Sequence, residues 1–195
     1  MPAEPAYVPA MPAPPAAPAP ITAEQLLRMH TPGKHVELIR GRLVVKEPPG
    51  YLHGDVTARL AKVLMDYCAD HQAGRILVGD PGFRIATDPD TVRGPDIAFI
   101  ARERVPEPRP VGYPSFAPTL VVEVLSPDDR PGEILAKVGD WLDAGTRRIW
   151  VVDPERRLAR VYRHDGTESV LKETESLVGE DVLPGFACTI GSILS

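Results

Sequence analysis

The chain has 195 residues, 43% of them hydrophobic and 25% charged, with a formal net charge of -5; this size and balance suit one globular domain with a sizeable core. No apolar run approaches the ~20 residues of a membrane span, and the N-terminus lacks the basic stretch and continuous apolar run of a secretory signal. The acidic balance argues against a strong nonspecific nucleic-acid binder, which is usually basic overall, but leaves room for a local basic patch.

Two distant cysteines, Cys68 and Cys188, make no metal or redox spacing and read as reduced core thiols of a cytoplasmic protein. Met1 to Pro20 is almost entirely Pro and Ala, with eight of the 23 prolines. It has little to bury and reads as an extended, disordered tail, with a proline-motif ligand as the functional alternative. Composition changes at Ile21, and residues 21–195 read as the single folded domain.

Thr22-Ala-Glu-Gln25 is a capping box that opens a short helix carrying Leu26, Leu27 and Met29. His35 to Glu47 reads as a hairpin about a turn at Arg40-Gly41-Arg42. Glu37 falls on the face opposite Val36 and Leu38, so this stretch alone reads it as solvent-facing. Tyr51 to Asp70 is an amphipathic helix, with Leu52, Val56, Leu60, Val63, Leu64 and Tyr67 at helical spacing and Gly74 as its end. His53 lies in its first turn, either as a neutral surface histidine or as a contact to a ligand or phosphate, since helix N-termini favour anions.

Arg75 to Val78 and Gly82 to Thr87 are short strand candidates, and Arg93 to Ile100 is a strand entered through Gly94-Pro95. Asp96 stands where its apolar run begins. The bland account is that Asp often opens a strand after a turn; the functional account is that this carboxylate aims into the same space as Glu123. Arg102 to Pro118 is a long, Pro-rich, partly basic loop of the kind that is often functional or mobile.

Pro118 to Pro127 is the stretch around which the rest is organised. Leu120-Val-Val-Glu-Val-Leu125 is short, apolar and rich in β-branched residues, which reads as a strand buried on both faces. Burying an unpaired carboxylate costs several kcal/mol, roughly, so Glu123 is expected to be protonated, paired or bound to a cation. A helix follows from about Glu133 to Ala144, with Ile134, Leu135, Val138, Trp141 and Leu142 as its stripe. Lys137 sits at the edge of that stripe, placed either to snorkel to water or to reach over the end of the neighbouring strand.

Arg148 to Val152 is another buried-type strand, so residues 119–152 make one strand–helix–strand unit of the kind that joins parallel strands. Leu158 to Tyr162 and Glu168 to Lys172 continue as a meander. Leu183 to Phe186 and Ile190 to Leu194 close the domain against the sheet. Arg147, Arg148 and Arg160 lie in the most basic region, which is either a solvated sheet face or a track for a nucleic-acid backbone.

Ligands of open α/β sheets collect near strand ends at topological switch points. Two carboxylates and a lysine converging there suit Mg²⁺, which takes few carboxylates and completes its shell with water and phosphate oxygens. No His/Cys spacing supports zinc, and no P-loop, dinucleotide fingerprint or Gly-x-Ser-x-Gly elbow is present.

Glu37-Leu-Ile-Arg-Gly-Arg-Leu43, His53, Gly94-Pro-Asp96, Val122-Glu-Val-Leu-Ser-Pro127, Lys137, and Ala144-Gly145 followed by Ile149-Trp-Val-Val-Asp153 occur in that order. From Ile21 onward the chain resembles the Uma-two family, a branch of the PD-(D/E)XK nuclease superfamily whose members are classed as restriction endonucleases. The resemblance implies an α/β (α+β) fold: a restriction-endonuclease-like mixed β-sheet flanked by helices in a single domain. It also implies a metal held by Asp96 and Glu123, with the adjoining Val124. The superfamily pattern places lysine two residues after the strand glutamate, where this chain has Leu125, and Lys137 on the next helix matches the family's displaced position. Glu37 and His53 match family positions too, as outer metal ligands or phosphate contacts.

The expectation is therefore a Mg²⁺-dependent endonuclease (with Mn²⁺ as alternative ion) acting on DNA. The contrasting expectation is a non-catalytic nucleic-acid or protein-binding module that kept the fold, and a third makes Glu123 and Lys137 a structural ion pair. A symmetric homodimer would suit cutting of both strands, and no membrane association is expected.

Overall fold

The computed structural model describes residues 18–195. Most of the Pro/Ala-rich stretch 1–20, expected as a disordered tail, lies outside the described residues. The fold is a mixed α+β single domain in which several sheets are flanked by four helices among the described residues. None of these helices is long and apolar enough to cross a membrane.

The main sheet has six strands in the order β10-β9-β8-β7-β6-β3. These are β3 (Gly74–Val78), β6 (Ile97–Ala101), β7 (Leu120–Val124), β8 (Arg148–Asp153), β9 (Leu158–Arg163) and β10 (Glu168–Lys172). β7 and β8 pair in parallel, with Glu123 opposite Val151, and the connecting helix α3 (Pro131–Asp143) makes the crossover expected from the sequence. The other pairings in this sheet are antiparallel.

β6, β7 and β8 are buried at every position, so each feeds two cores in alternation. Leu120, Val122, Val124, Trp150 and Val152 face helix α2 (Tyr51–His71), where Val56, Leu60 and Leu64 meet them. Val121, Ile149 and Val151 face α3, where Ile134, Val138 and Trp141 cover them. Each such aliphatic side chain contributes roughly 1.5–3 kcal/mol on burial. Glu123 shares its strand face with Val121, so the α3 side receives a carboxylate in an otherwise apolar layer.

A second sheet runs β2-β1-β5-β4, with β1 (His35–Ile39), β2 (Arg42–Lys46), β4 (Phe83–Ala86) and β5 (Thr91–Arg93). Helix α1 (Ala23–Arg28), with the expected Thr22–Gln25 capping box, covers one face through Ala23 and Leu26 against Leu38 and Val92. Glu37 and Arg93 point from the opposite face. Glu37 is buried there, which corrects the solvent-facing reading: alternation placed it away from Leu38, but that face meets α3 instead of water.

Several boundaries also differ from the sequence reading. α2 ends at His71, with Gln72 in the left-handed conformation as its C-cap. Gly74 instead opens β3, where a β-carbon would collide with the Ile100 carbonyl. The three-residue strand β5 and the small pair β11 (Ser176–Val178) and β12 (Ala187–Thr189) were too short to carry a period. The closing segment packs as expected, with Leu183, Phe186 and Ile190 joining the α2-side core and the short helix α4 (Ile190–Ile193) following. Both cysteines are free and buried.

Candidate active site

The carboxyl end of β7 opens into a cleft of about 790 Å³. One wall is the Glu37 face of β1 and β2, and the other is the loop after β7 with the start of α3. Asp96, Glu123, Val124, Lys137, Glu37 and His53 all line it. The structure therefore brings together both tiers of site residues expected from the sequence. Among the described residues, no three His, Cys, Asp or Glu side chains converge closely enough to cage a metal by themselves.

Asp96 sits just before β6, on the turn Gly94-Pro95-Asp96. One of its oxygens accepts from the Val124 N–H at 2.6 Å, which ties the turn to the end of β7. The other lies 3.0 Å from His53 Nε2. His53 reaches it from the first turn of α2. Burial disfavours the charged ring, but the Asp96 hydrogen bond and charge, with Asp80 and Asp129, outweigh it and raise the His53 pKa. His53 Nδ1 is buried without a hydrogen-bond partner among the described residues.

Glu123 is 5% exposed and Lys137 8%. The snorkelling alternative for Lys137 does not hold. Helix α3 presents Lys137 and, one turn later, Trp141 on one face, and the two grip both oxygens of Glu123. Lys137 Nζ donates to Oε2 at 2.8 Å and Trp141 Nε1 to Oε1 at 3.0 Å. Lys137 also donates to the Gly94 carbonyl at 2.8 Å and lies 3.2 Å from Glu37 Oε1. Two of its protons thus have hydrogen-bond acceptors, and Glu37 adds an ionic contact.

Glu37 accepts in addition from the Gly94 N–H at 3.0 Å and from Arg93 Nη1 at 2.8 Å, while Arg93 also grips Asp140 of α3. Glu37 is therefore a brace: it joins the lysine, the turn that carries Asp96 and the second sheet. Gly94 itself packs where a β-carbon would press on the Asp80 backbone.

The electrostatics follow from burial and crowding. Burial pushes the Glu123 carboxyl up to about 7; Lys137 pulls against this, and Asp96 adds to the rise. Burial works against the Lys137 charge, but Glu123, Glu37 and Asp96 together hold its pKa above the ordinary ammonium range. Burial also opposes the Glu37 charge, yet Lys137 and Arg93 hold its carboxyl below the ordinary range. Asp80, beside Asp96 in the loop after β3, is raised by burial and by Asp96, against the pull of His35, which lies 2.7 Å away.

The arginines expected as backbone contacts are not in this cleft. Arg148 is 3% exposed and bound to Glu180 and Asp181, so it is not presented to a nucleic acid. Its guanidinium neutralises two carboxylates. Arg147 pairs with Asp181 and Arg160 with Glu168. These ion pairs match the solvated-face alternative for Arg147 and Arg160, although Arg160 does line a second, smaller cleft beyond the loop after β7.

A model of the Uma2 family, described as "Putative restriction endonuclease", matches residues 23–191. The chain belongs to the Uma2 family. Among solved structures, this Uma2 chain is similar to a crystal structure described as a "putative nuclease belonging to DUF820" from Anabaena variabilis. The TM-score is 0.79 at 20% identity, over 90% of this chain and 98% of that one. At that identity the likeness shows a shared fold. No curated protein matches. The family and fold implied by the ordered motifs are thus borne out.

The Uma2 site also holds residues that the sequence reading passed over. Trp141 belongs to the apolar stripe in the sequence, yet its spacing of four from Lys137 puts both on one helix face. Arg93, Asp140 and Asp80 carried no signal of their own, because their partners come from elements far away in the chain.

Proposed function

We propose that this Uma2 protein is a Mg²⁺-dependent endonuclease that hydrolyses DNA phosphodiester bonds with activated water. The observation that carries the reading is the meeting of Asp96, Glu123 and the Lys137 ammonium at one strand end in an open cleft, with Lys137 Nζ 2.8 Å from Glu123. The donor set supports a hard cation. It offers carboxylate oxygens, and a cation would offset the burial, and the lesser repulsion from Asp96, that raise the Glu123 and Asp80 carboxyls. Having fewer than three converging side-chain ligands fits Mg²⁺, which keeps several waters and takes substrate oxygens; Mn²⁺ is the natural substitute.

Asp96 and Glu123, with the Val124 main-chain oxygen, would hold the ion. Bound there, Mg²⁺ supplies Lewis-acid polarisation of the phosphodiester and lowers the pKa of an attacking water. Lys137 is held protonated by the carboxylates around it and has no free electron pair, so its part is a fixed positive charge beside the strand end. Such a preplaced charge stabilises the extra negative charge of a phosphoryl transition state without reorganising. His53 holds Asp96 from α2, and Glu37 holds Lys137 in register.

One observation favours a second reading. Both Glu123 oxygens and two of the Lys137 protons are engaged by internal partners, as they would be in a non-catalytic nucleic-acid or protein-binding module that kept the fold. Calorimetric titration of Mg²⁺ or Mn²⁺ into the wild type and into Asp96→Asn/Glu123→Gln, with plasmid nicking scored on the same samples, separates the two. The nuclease reading expects binding and nicking that both vanish in the variant. A folded wild type that binds neither ion would overturn it in favour of the module.

A further inference from the structure

The cleft is lined by eight carboxylates against three lysines. A polyanionic substrate entering it needs a cation beside the metal position, and the three lysines are not equally free. Lys137 is buried, hydrogen-bonded to Glu123 and the Gly94 carbonyl, and faces Glu37 at 3.2 Å. Lys34 is held by both oxygens of Glu47 at the rim. Lys46 is different. It is the last residue of β2, and its register opposite His35 puts it on the same face as Glu37, so it points into the cleft. Its side chain is as exposed as that of Lys34, at 39%, but among the described residues its one ionic partner is Asp129 Oδ1 at 3.3 Å.

Asp129 belongs to the opposite wall, 83 residues away. Its other oxygen accepts from the Ser126 N–H at 2.8 Å, so the carboxylate is anchored to the loop after β7 independently of the lysine. The Lys46–Asp129 contact therefore spans the cleft from the second sheet to the site loop. It is long for a charge-assisted hydrogen bond, and its two ends are carried by separate elements.

We propose that Lys46 is a phosphate-binding residue of the cleft and that Asp129 holds its place until a DNA backbone phosphate takes over. The inference rests on the nuclease reading and assigns the substrate contact that this reading leaves open. In the exchange, Lys46 trades one carboxylate for one phosphate. Asp129 stays fixed by Ser126 and acts as a built-in competitor that weakens binding.

The test is equilibrium binding of a short fluorescein-labelled DNA duplex, with Ca²⁺ in place of Mg²⁺ to prevent cutting, across a range of salt concentrations. The variants are Lys46→Gln, Lys46→Arg, Asp129→Asn and Lys46→Gln/Asp129→Asn, each checked for folding by circular dichroism. One lost phosphate contact lowers the slope of log K against log salt by ~0.9, which weakens binding about eightfold at roughly 0.1 M salt. That change is expected for Lys46→Gln, with Lys46→Arg restoring the slope. Asp129→Asn keeps an oxygen for Ser126, and should tighten binding in the wild-type background but much less in the Lys46→Gln background.

If Asp129→Asn tightens binding equally in both backgrounds, it acts only through general charge and the exchange is wrong. An unchanged slope in Lys46→Gln, with the wild type binding normally, overturns the role of Lys46 while leaving the nuclease reading intact. A folded wild type that fails to bind the duplex removes the DNA reading itself, and this proposal with it.

Discussion

Lys137→Met tests whether the buried network is read correctly. Four carboxylates (Glu37, Asp96, Glu123 and Asp140) share the space behind the cleft with two cations, Lys137 and Arg93. Arg93 serves Glu37 and Asp140, so Glu123 has Lys137 as its ionic partner. Removing the lysine leaves Glu123 with only the neutral Trp141 donor and a raised affinity for a proton. Breaking a buried pair in this way costs about 3–5 kcal/mol. Glu123→Gln is not the mirror image. It removes one of the surplus negative charges, leaves Lys137 on Glu37 and the Gly94 carbonyl, and keeps an oxygen for Trp141. Its cost is close to that of one charge-assisted hydrogen bond, about 1.5–3 kcal/mol, less the repulsion relieved.

Lys137→Met should therefore be the less stable variant by about 2 kcal/mol, or roughly 4–8 °C in Tm for a domain of this size. Urea denaturation without divalent ions, near neutral pH, measures the difference. The sign of the pH dependence is also set. The folded Glu123 pKa, about 7, lies above its ordinary 4.5. The native state thus binds the proton more readily, and stability falls as pH rises through this window. The Lys137→Met deficit should then shrink as pH is lowered and Glu123 takes up a proton. Equal destabilisation of the two variants, or a larger loss in Glu123→Gln, would refute the charge accounting.

His53 has a raised folded pKa through Asp96, so its contribution is complete below the unfolded value and is lost as pH rises through the folded one. The melting gap between wild type and His53→Gln should be wider near about pH 6 than near about pH 9, and a gap independent of pH would place the ring outside this pair. Trp141→Phe keeps an aromatic ring against Phe83 but withdraws the N–H from buried Glu123 Oε1; about 1–3 kcal/mol should be lost in urea denaturation, and a negligible change would mean that this hydrogen bond contributes nothing. Gly74→Ala puts a β-carbon against the Ile100 carbonyl with φ at +154°, so a loss of about 1–3 kcal/mol or more is expected. Wild-type stability there would show that the β3–β6 edge relaxes freely.

Most of the architecture was legible because its strands and helices carry strong periods. The all-buried runs of β6, β7 and β8 announced the central sheet, and the Glu133–Ala144 stripe announced the crossover helix. The site was legible where a residue broke a period: Glu123 in an apolar strand, or Lys137 at the edge of an apolar stripe. Glu37 broke none. Its alternation was correct, and its burial depends on α3, which arrives about a hundred residues later. The Arg148 misreading has the same origin. A basic stretch looks like a backbone track until Glu180 and Asp181, from a distant turn, are seen to neutralise it. Short elements such as β5 hold too few residues to show a period at all.

These pairings bear on how an acidic protein with an acidic cleft can serve a polyanion. In the basic region, Arg147, Arg148, Arg157, Arg160 and Arg163 are all matched by carboxylates, which leaves little long-range attraction for DNA from that face. Inside the cleft, carboxylates outnumber lysines, and at a few ångströms each uncompensated pair of like charges costs on the order of 1–4 kcal/mol at surface-like dielectric constants. Phosphates should not settle there until that excess is reduced. A divalent cation at Asp96 and Glu123 and the release of Lys46 from Asp129 both act in that direction, one by adding positive charge and the other by exposing it. Under the proposed function, DNA affinity should therefore depend on divalent cation even where no bond is cut. A protein whose duplex binding is as tight in chelator as in Ca²⁺ would have to hold DNA on some surface other than this cleft.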